Sequence, residues 1–191
     1  MHKGRLEAFS DGVIAIIITI MVLELKVPHV PHFRAIGELW PVLLSYVLSF
    51  VNVGIYWNNH HHLMQAVKHV DGRILWANMH LLFWLSLMPF TTAWMGENHF
   101  ALDPVALYGV VLAMSGVAYY LLVRALLTRH GGDSHLARAI GRDFKGKISV
   151  AIYLVAIPAA WIKPWIALSL YALVAVMWLV PDKRIERLQI D

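Results

Sequence analysis

The chain has 191 residues, of which 59% are hydrophobic and only 15% are charged. Soluble domains are about half apolar and about a quarter charged, so this composition excludes a soluble globular protein and indicates an integral membrane protein. The formal charge of +4 is modest, and the absence of cysteine excludes thiolate metal sites, thiol catalysis and disulfides. Basic residues in a membrane protein record orientation more often than nucleic-acid binding, and we expect no nucleic-acid partner.

The first apolar segment, about residues 5–27, has twelve uncharged residues from Gly12 to Leu23 between Asp11 and Glu24. Twelve residues span about 18 Å as a helix, whereas a hydrocarbon core is about 30 Å thick. A spanning helix here therefore carries at least one carboxylate to membrane depth, where charged groups usually mark an ion or proton pathway. Because no small-residue cleavage site precedes Glu24, we expect the segment not to be a signal peptide.

Five further apolar segments follow, at about residues 38–64, 73–95, 104–127, 147–162 and 164–180. Turn signals separate the segments, namely Pro28 and Pro31, Asp71-Gly72, Asp103-Pro104, Gly131-Gly132 and Lys163-Pro164. The last two segments are short and span a bilayer only with little tilt or where the bilayer is thin. The sequence predicts an all-α polytopic membrane protein with six transmembrane helices in a single domain, residues 1–191.

The lysines and arginines are distributed unevenly between the two sets of loops. Thirteen of the sixteen lie in the two tails and the second and fourth loops: Lys3, Arg5, Lys68, Arg73, Arg124, Arg129, Arg138, Arg142, Lys145, Lys147, Lys183, Arg184 and Arg187. The other loops hold only Lys26, Arg34 and Lys163. The positive-inside rule then places both termini in the cytoplasm, which requires an even number of helices and fits six. We expect a multi-pass protein of the cell membrane.

Specific motifs occur in the first half of the chain. The first segment contains Arg5-Leu6-Glu7-Ala8-Phe9-Ser10-Asp11 before its aliphatic run, the second contains Trp57-Asn58-Asn59-His60-His61, and the third contains Asn78 and Pro89-Phe90. This pattern resembles the transmembrane protein 175 potassium channels, specifically their single-repeat prokaryotic members. The resemblance implies a homotetramer in the lipid bilayer, a central pore lined by four copies of the first helix, and conduction of K⁺ and other monovalent cations without a cofactor. The chain has no loop like the carbonyl filter of ordinary potassium channels.

Carried over from the motif, the family's constricting aliphatic positions are Ile16, Ile20 and Leu23, and its hydroxyl position is Thr19. At about 100° per residue these four fall within an arc of about 100°. A plain alternative stands beside this one, because aliphatic residues in an aliphatic helix usually face lipid or other helices. An aliphatic constriction would select by unequal dehydration, since Na⁺ holds its water more tightly than K⁺, and Thr19 hydroxyls would replace part of the lost water.

The charged motif is interpreted as the support of the first helix. Asp11 lies about 140° around the helix from Ile16 and is expected to face neighbouring helices. With Arg5, Phe9 and Ser10 it would set the position of the helix and hence the pore width, through interhelical partners chosen among Trp57, His60, His61 and Asn78. The plain alternative is a structural ion pair with a hydroxyl cap and no switching role.

Other classes of function fit the sequence less well. Consecutive histidines from His60 to His62 point about 100° apart, so they cannot converge on one ion, and we expect no metal site. No nucleophile elbow, pair of catalytic carboxylates or phosphate loop is present, so we expect no enzyme activity. A proton-coupled membrane transporter remains the alternative, although it usually has broken helices and an internal repeat. A histidine-ligated redox protein is less favoured still, and it would bind a coloured cofactor.

Overall fold

The computed structural model describes residues 3–67, 69–130 and 144–179. They form eight helices: α1 (Lys3–Leu23), α2 (Phe33–Glu38), α3 (Trp40–Gln65), α4 (Gly72–Ser86), α5 (Met88–Glu97), α6 (Leu102–His130), α7 (Phe144–Ile162) and α8 (Pro164–Leu179). These ranges contain no strand, which confirms the predicted all-α class. The Gly131-Gly132 boundary and six of the orientation-setting basic residues lie outside the described residues: Lys68, Arg138, Arg142, Lys183, Arg184 and Arg187.

Five stretches are long and apolar enough to cross a membrane, so the chain is a polytopic membrane protein. They are Lys3–Leu23, Trp40–Gln65, Gly72–Glu97, Leu102–Arg129 and Phe144–Ile162. The last helix, α8, is apolar, but its 16 residues span only about 24 Å. It follows α7 directly at Lys163-Pro164, where the sequence predicts a turn. Six membrane crossings therefore stay a prediction that depends on a thin bilayer around α8.

The third predicted segment is broken into α4 and α5 at Leu87. Pro89 has no N–H to donate to the carbonyl of Leu85, and its ring would crowd that carbonyl in a continuous helix. The N–H of Leu87 instead donates to the carbonyl of Trp84, three residues back, at 3.2 Å. The predicted apolar segment at about 73–95 is confirmed as the span Gly72–Glu97, but the break at this proline was not predicted.

The first loop differs from the prediction as well. Helix α1 ends at Leu23, whereas the predicted segment continues to residue 27. The loop contains the short helix α2, which was not predicted and has no buried residue. Its Phe33 is 92% exposed, so the isolated chain leaves α2 almost unpacked.

The core is centred on α6, which packs against α4, α5, α7 and α8. The packing is very close at Gly109, where an added Cβ would overlap the hydroxyl oxygen of Tyr171. That buried hydroxyl donates a hydrogen bond to the carbonyl of Val105 at 3.2 Å. Helices α6 and α8 can approach this closely only because residue 109 has no side chain.

Helix α1 packs against α3, α4 and α5 on one side of the bundle. It buries one face, with Leu6, Ser10, Ile14, Ile17 and Met21. These residues follow one another at intervals of three or four, which places them on one side of the helix. The opposite side of α1 is left uncovered by the rest of the chain.

Candidate functional site

The uncovered face of α1 is aliphatic. Ile16 is 59% exposed, Ile20 41% and Leu23 75%, whereas Ile14 and Ile17 beside them are buried. The three exposed residues, which we call the α1 stripe, continue one another along the helix. The other described helices of the chain therefore leave this row of branched apolar side chains exposed.

Thr19 lies on the same exposed side of α1. Its hydroxyl donates to the carbonyl of Ala15, one turn earlier, at 2.9 Å. Since that bond uses the only proton of the hydroxyl, the oxygen has only lone pairs to offer outside the helix. An oxygen that can only accept is suited to contact a cation rather than an anion.

Small residues border the α1 stripe on one side. Ala8, Gly12, Ala15 and Thr19 fall within an arc of about 60°, next to the arc of the stripe. All four are exposed, and a Cβ added to Gly12 would meet nothing within 4 Å. Small residues at such spacing let membrane helices approach closely, so this edge is suited to contact another helix.

A buried polar node joins α1 to α3 and α4, and it consists of Ser10, Asn78 and His60. The hydroxyl of Ser10 donates to the carbonyl of Leu6 at 2.8 Å and accepts from the side-chain amide of Asn78 at 2.9 Å. The carbonyl oxygen of Asn78 therefore faces Nε2 of His60, at 2.8 Å.

The bonds of the node determine the tautomer of His60. Because the amide oxygen of Asn78 can only accept, Nε2 must be the protonated nitrogen. Nδ1 of His60 is buried and has no hydrogen-bond partner in the described part of the chain. Every other polar side-chain atom of the node is bonded, so the node holds the three helices in one arrangement.

A second polar contact joins α1 to α3 nearer the surface. The indole N–H of Trp57 donates to Oδ1 of Asp11 at 3.1 Å. The ring of Trp57 stacks on His61 with centroids 5.8 Å apart, and Nδ1 of His61 lies 3.7 Å from the Glu7 carboxylate. Asp11 is thus directed toward a neighbouring helix and away from the α1 stripe.

The remaining motif residues, Arg5 and Phe9, are exposed on the same side as Ile16. No ion pair joins Arg5 to Asp11, since six residues of helix place them on different faces. The hydroxyl of Ser10 bonds to a carbonyl of its own helix and caps no helix end. Neither the ion pair nor the hydroxyl cap of the plain alternative is present in the single chain.

Sequence reasoning missed one contact at the other end of α1. Lys26, just beyond α1, pairs with Glu97 at the end of α5, with 2.5 Å between Nζ and Oε1. The hydrogen bond from Lys26 to Glu97 and the charge of Glu97 raise the pKa of Lys26 above its usual value. These residues are 71 positions apart, and nothing in the sequence around either one indicates the pairing.

Two further histidines, His62 on α3 and His80 on α4, contact the rings of neighbouring residues. His80 accepts a hydrogen bond from the indole of Trp84 on its own helix at 2.9 Å and does not join the node. The ring of His62 packs edge-on against His61. Among the described residues, no three histidine, cysteine or acidic side chains are placed to hold one metal ion.

Comparison with known proteins gives consistent matches. The family model described as the endosomal/lysosomal potassium channel TMEM175 matches residues 5–89, which include most of α1 and all of α3 and α4. A potassium channel of Chryseobacterium sp. (strain P1-3) is 56% identical over 187 residues, covering 98% of this chain and 97% of that protein. The endosomal/lysosomal proton channel TMEM175 of Gallus gallus is 27% identical over 161 residues, covering 71% of this chain and 32% of that protein.

A solved structure matches the whole fold. The crystal structure of a lysosomal potassium-selective channel TMEM175 homolog from Chamaesiphon minutus superposes with a TM-score of 0.81 and 29% sequence identity. The match covers 93% of this chain and 96% of that one.

Proposed function

Because this chain belongs to the TMEM175 family of ion channels, we propose that it forms a potassium-preferring channel whose pore is lined by α1 from four identical subunits. The family is one of channels, so the protein is not an enzyme. The observation that carries the proposal is the α1 stripe, an exposed aliphatic row on a helix whose opposite face is buried. The proposal requires no cofactor and places the protein in the cell membrane with both termini in the cytoplasm.

The two surfaces of α1 have complementary tasks in such an assembly. The α1 stripe would face the fourfold axis, while the neighbouring edge of small residues, with Gly12 at its centre, would contact α1 of the next subunit. The rest of the bundle would surround this central cluster. An aliphatic lining is unusual for an ion path, and it follows that the ion is not held by a cage of charges or carbonyls.

Selection would then depend on the water that an ion must lose at rings formed by Ile16, Ile20 and Leu23. Narrow apolar rings dewet, and the more tightly hydrated Na⁺ loses more on entering them than K⁺ does. The ring of Thr19 oxygens, which can only accept, would return part of the lost coordination. Preference for K⁺ is therefore expected to be moderate.

The need for more than one chain in the pore is supported by the extent of the matches. The chain spans 97% of the Chryseobacterium channel but only 32% of the Gallus gallus protein, which is a much longer chain. A chain with a single six-helix repeat contributes one α1, and a pore lined by several copies of α1 needs several chains. Four is the number that the family resemblance implies.

Flux measurements in liposomes test the proposal directly. Purified protein in vesicles with outward K⁺ or Na⁺ gradients should show faster K⁺ than Na⁺ efflux without any driving ion. The substitution Ile16→Thr should increase total flux and weaken the preference for K⁺. The matched control Ile166→Thr changes an exposed isoleucine of α8, which does not line the proposed pore, and should change neither quantity. Unchanged flux and preference in Ile16→Thr would place the constriction elsewhere.

The same vesicles distinguish the alternative, a proton-coupled transporter. A pH-sensitive dye inside the vesicles reports whether K⁺ movement requires proton movement in a fixed ratio. A channel should carry a K⁺ flux that continues when the pH difference is removed. This flux should also keep rising as the K⁺ concentration is raised, whereas the flux of a transporter reaches a low maximum. Saturating flux that stops without a proton gradient would favour the transporter.

A further inference from the structure

A polar groove lies away from α1, between the start of α4 and the last turns of α6. Its volume is about 470 Å³, and it is lined by Asp71, Arg73, Arg124, Ala125, Thr128 and Arg129. The groove lies at the end of the bundle that holds the N-terminus, where Nζ of Lys3 donates to the carbonyl of Gln65 at 3.3 Å. The distribution of lysine and arginine predicts that this end faces the cytoplasm.

The groove has an excess of positive charge. Its single carboxylate, Asp71, is already occupied: Oδ1 accepts from the backbone N–H groups of Arg73 and Ile74 at 3.0 and 3.1 Å, and Oδ2 lies 3.8 Å from Nε of Arg129. The guanidinium groups of Arg73 and Arg124 are exposed and pair with no acidic side chain of the described chain. Within the described part of the chain, two of the three arginines are therefore uncompensated.

Two unpaired guanidinium groups in one groove favour a particular class of ligand. The planar fork of arginine donates paired hydrogen bonds to carboxylate and phosphate oxygens, and arginine is the residue that typically recognises phosphate in this way. A phosphate between Arg73 and Arg124 would offset part of the positive charge that Asp71 leaves in the groove.

The surface next to the groove indicates where such a phosphate comes from. Trp76 lies one turn beyond Arg73 on the same face of α4 and is 78% exposed. Leu121, one turn before Arg124 on α6, is 45% exposed. The charged groove thus continues toward the membrane as an apolar surface, and exposed tryptophan is the residue typical of the headgroup level.

We propose that this groove binds the phosphate of an anionic phospholipid in the cytoplasmic leaflet, with the acyl chains lying along Trp76 and Leu121. The arginines hold the headgroup and the apolar surface holds the chains. Anionic lipids are enriched in that leaflet and are attracted to basic residues at its surface. The site is separate from the proposed pore, so it does not depend on how α1 is arranged.

The affinity of the groove for phosphatidylglycerol can be measured by titrating the purified protein with this lipid and counting the bound lipids by native mass spectrometry. One arginine near an anionic surface contributes about a fivefold change in affinity, so Arg73→Gln with Arg124→Gln should weaken binding about 25-fold. The matched control, Arg34→Gln with Lys163→Gln, removes the same charge from the opposite set of loops and should leave affinity unchanged. Equal losses in the two double variants would overturn the proposal.

A variant with the opposite expected sign keeps the test independent of folding defects. Asparagine is as good an N-cap as aspartate, so Asp71→Asn preserves the cap of α4 while removing the carboxylate from the groove. It should bind phosphatidylglycerol about fivefold more tightly. Weaker or unchanged binding in Asp71→Asn would overturn the proposal even if the arginine variant fails to fold.

Inorganic phosphate distinguishes the two sources of the ligand. If the acyl chains contribute as proposed, millimolar phosphate displaces little phosphatidylglycerol from the wild-type protein. Displacement at phosphate concentrations equal to those of the lipid would assign the groove to a soluble phosphate compound and overturn the lipid proposal.

Discussion

Replacing Asn78 with leucine tests whether the buried node of Ser10, Asn78 and His60 holds α1 in place. The change keeps a similar side-chain volume but removes both polar groups of the amide. The Nε2–H of His60 then loses the acceptor that it has in the described structure, and Ser10 keeps the bond to its own helix. The node would no longer connect α1 to the other helices.

The cost follows from the burial of these groups, since Ser10, His60 and Asn78 are all 0% exposed. A buried donor without an acceptor costs about 1–3 kcal/mol, so Asn78→Leu should destabilise the protein by about 2 kcal/mol. His60→Phe leaves the Asn78 carbonyl oxygen unmatched and should cost about the same. The double variant removes both partners, and a coupling of about 1–2 kcal/mol is expected, at the upper end of interhelical hydrogen bonds in membrane proteins.

Unfolding in mixed micelles with increasing dodecyl sulfate, followed by tryptophan fluorescence, gives the free energies of the double-mutant cycle. Asn58→Leu is the matched control, because Asn58 is an exposed asparagine of α3 without a hydrogen bond to another of the described helices. It should change stability by less than about 0.5 kcal/mol. If the costs of Asn78→Leu and His60→Phe add to within about 0.3 kcal/mol, the two side chains are energetically independent and the reasoning is refuted.

Three further predictions follow from other contacts. Asp11→Ala removes the acceptor of the hydrogen bond from the indole N–H of Trp57 on α3. It should alter the open probability in single-channel recordings more than the ratio of K⁺ to Na⁺ permeability. A reversed permeability ratio with unchanged open probability would contradict this. Gly109→Ala forces a Cβ against the buried ring of Tyr171 and should lower the free energy of unfolding by about 1–3 kcal/mol, measured by thermal unfolding. Gly54→Ala is the control, because an added Cβ there has open space around it, and it should not lower that free energy. Equal effects of the two variants would refute the close-packing argument. The stabilisation from the Lys26–Glu97 pair is fully present below the ordinary lysine pKa of 10.5 and is lost as pH rises through the raised pKa of Lys26. Because an exposed ion pair contributes little to stability, Glu97→Gln should leave the melting temperature at neutral pH nearly unchanged. A shift in melting temperature as large as that of Gly109→Ala would contradict this.

Much of the helical arrangement can be read from the sequence, because a membrane helix needs a long apolar run and its ends need turn residues. Two features were not predicted, because hydropathy carries no information on backbone geometry. The break at Leu87 lies inside an apolar run, and only Pro89 marks it. Helix α2 was missed because its six residues, which lie between Pro31 and Trp40, are too few to show the periodicity of an amphipathic helix.

The candidate site was predictable to a different extent. Helical spacing places Ile16, Thr19 and Ile20 on one arc, but the whole segment is aliphatic, so only the packing of the other helices shows which arc is uncovered. The separation of Arg5 from Asp11 follows from their spacing of six residues and could have been recognised from the sequence. The bonds from Asn78 to Ser10 and from Trp57 to Asp11 join residues 68 and 46 positions apart, for which a single sequence holds no signal.

If α1 lines the pore as proposed, its contacts predict that its position and the ion preference of the pore can be changed separately. Among the described residues, the polar contacts of α1 with α3 and α4 lie in its first three turns, at Lys3, Glu7, Ser10 and Asp11. Beyond them the buried face is held by apolar packing at residues such as Ile14 and Ile17. Hydrogen bonds are directional and set the rotation of the helix, whereas apolar packing fixes its distance from the bundle but tolerates small rotations. Ile16 lies about 7.5 Å along the helix from Asp11, so a change in the polar contacts would rotate the α1 stripe without altering its chemistry. Substitutions at the polar end should therefore affect opening, and substitutions in the stripe should affect selectivity.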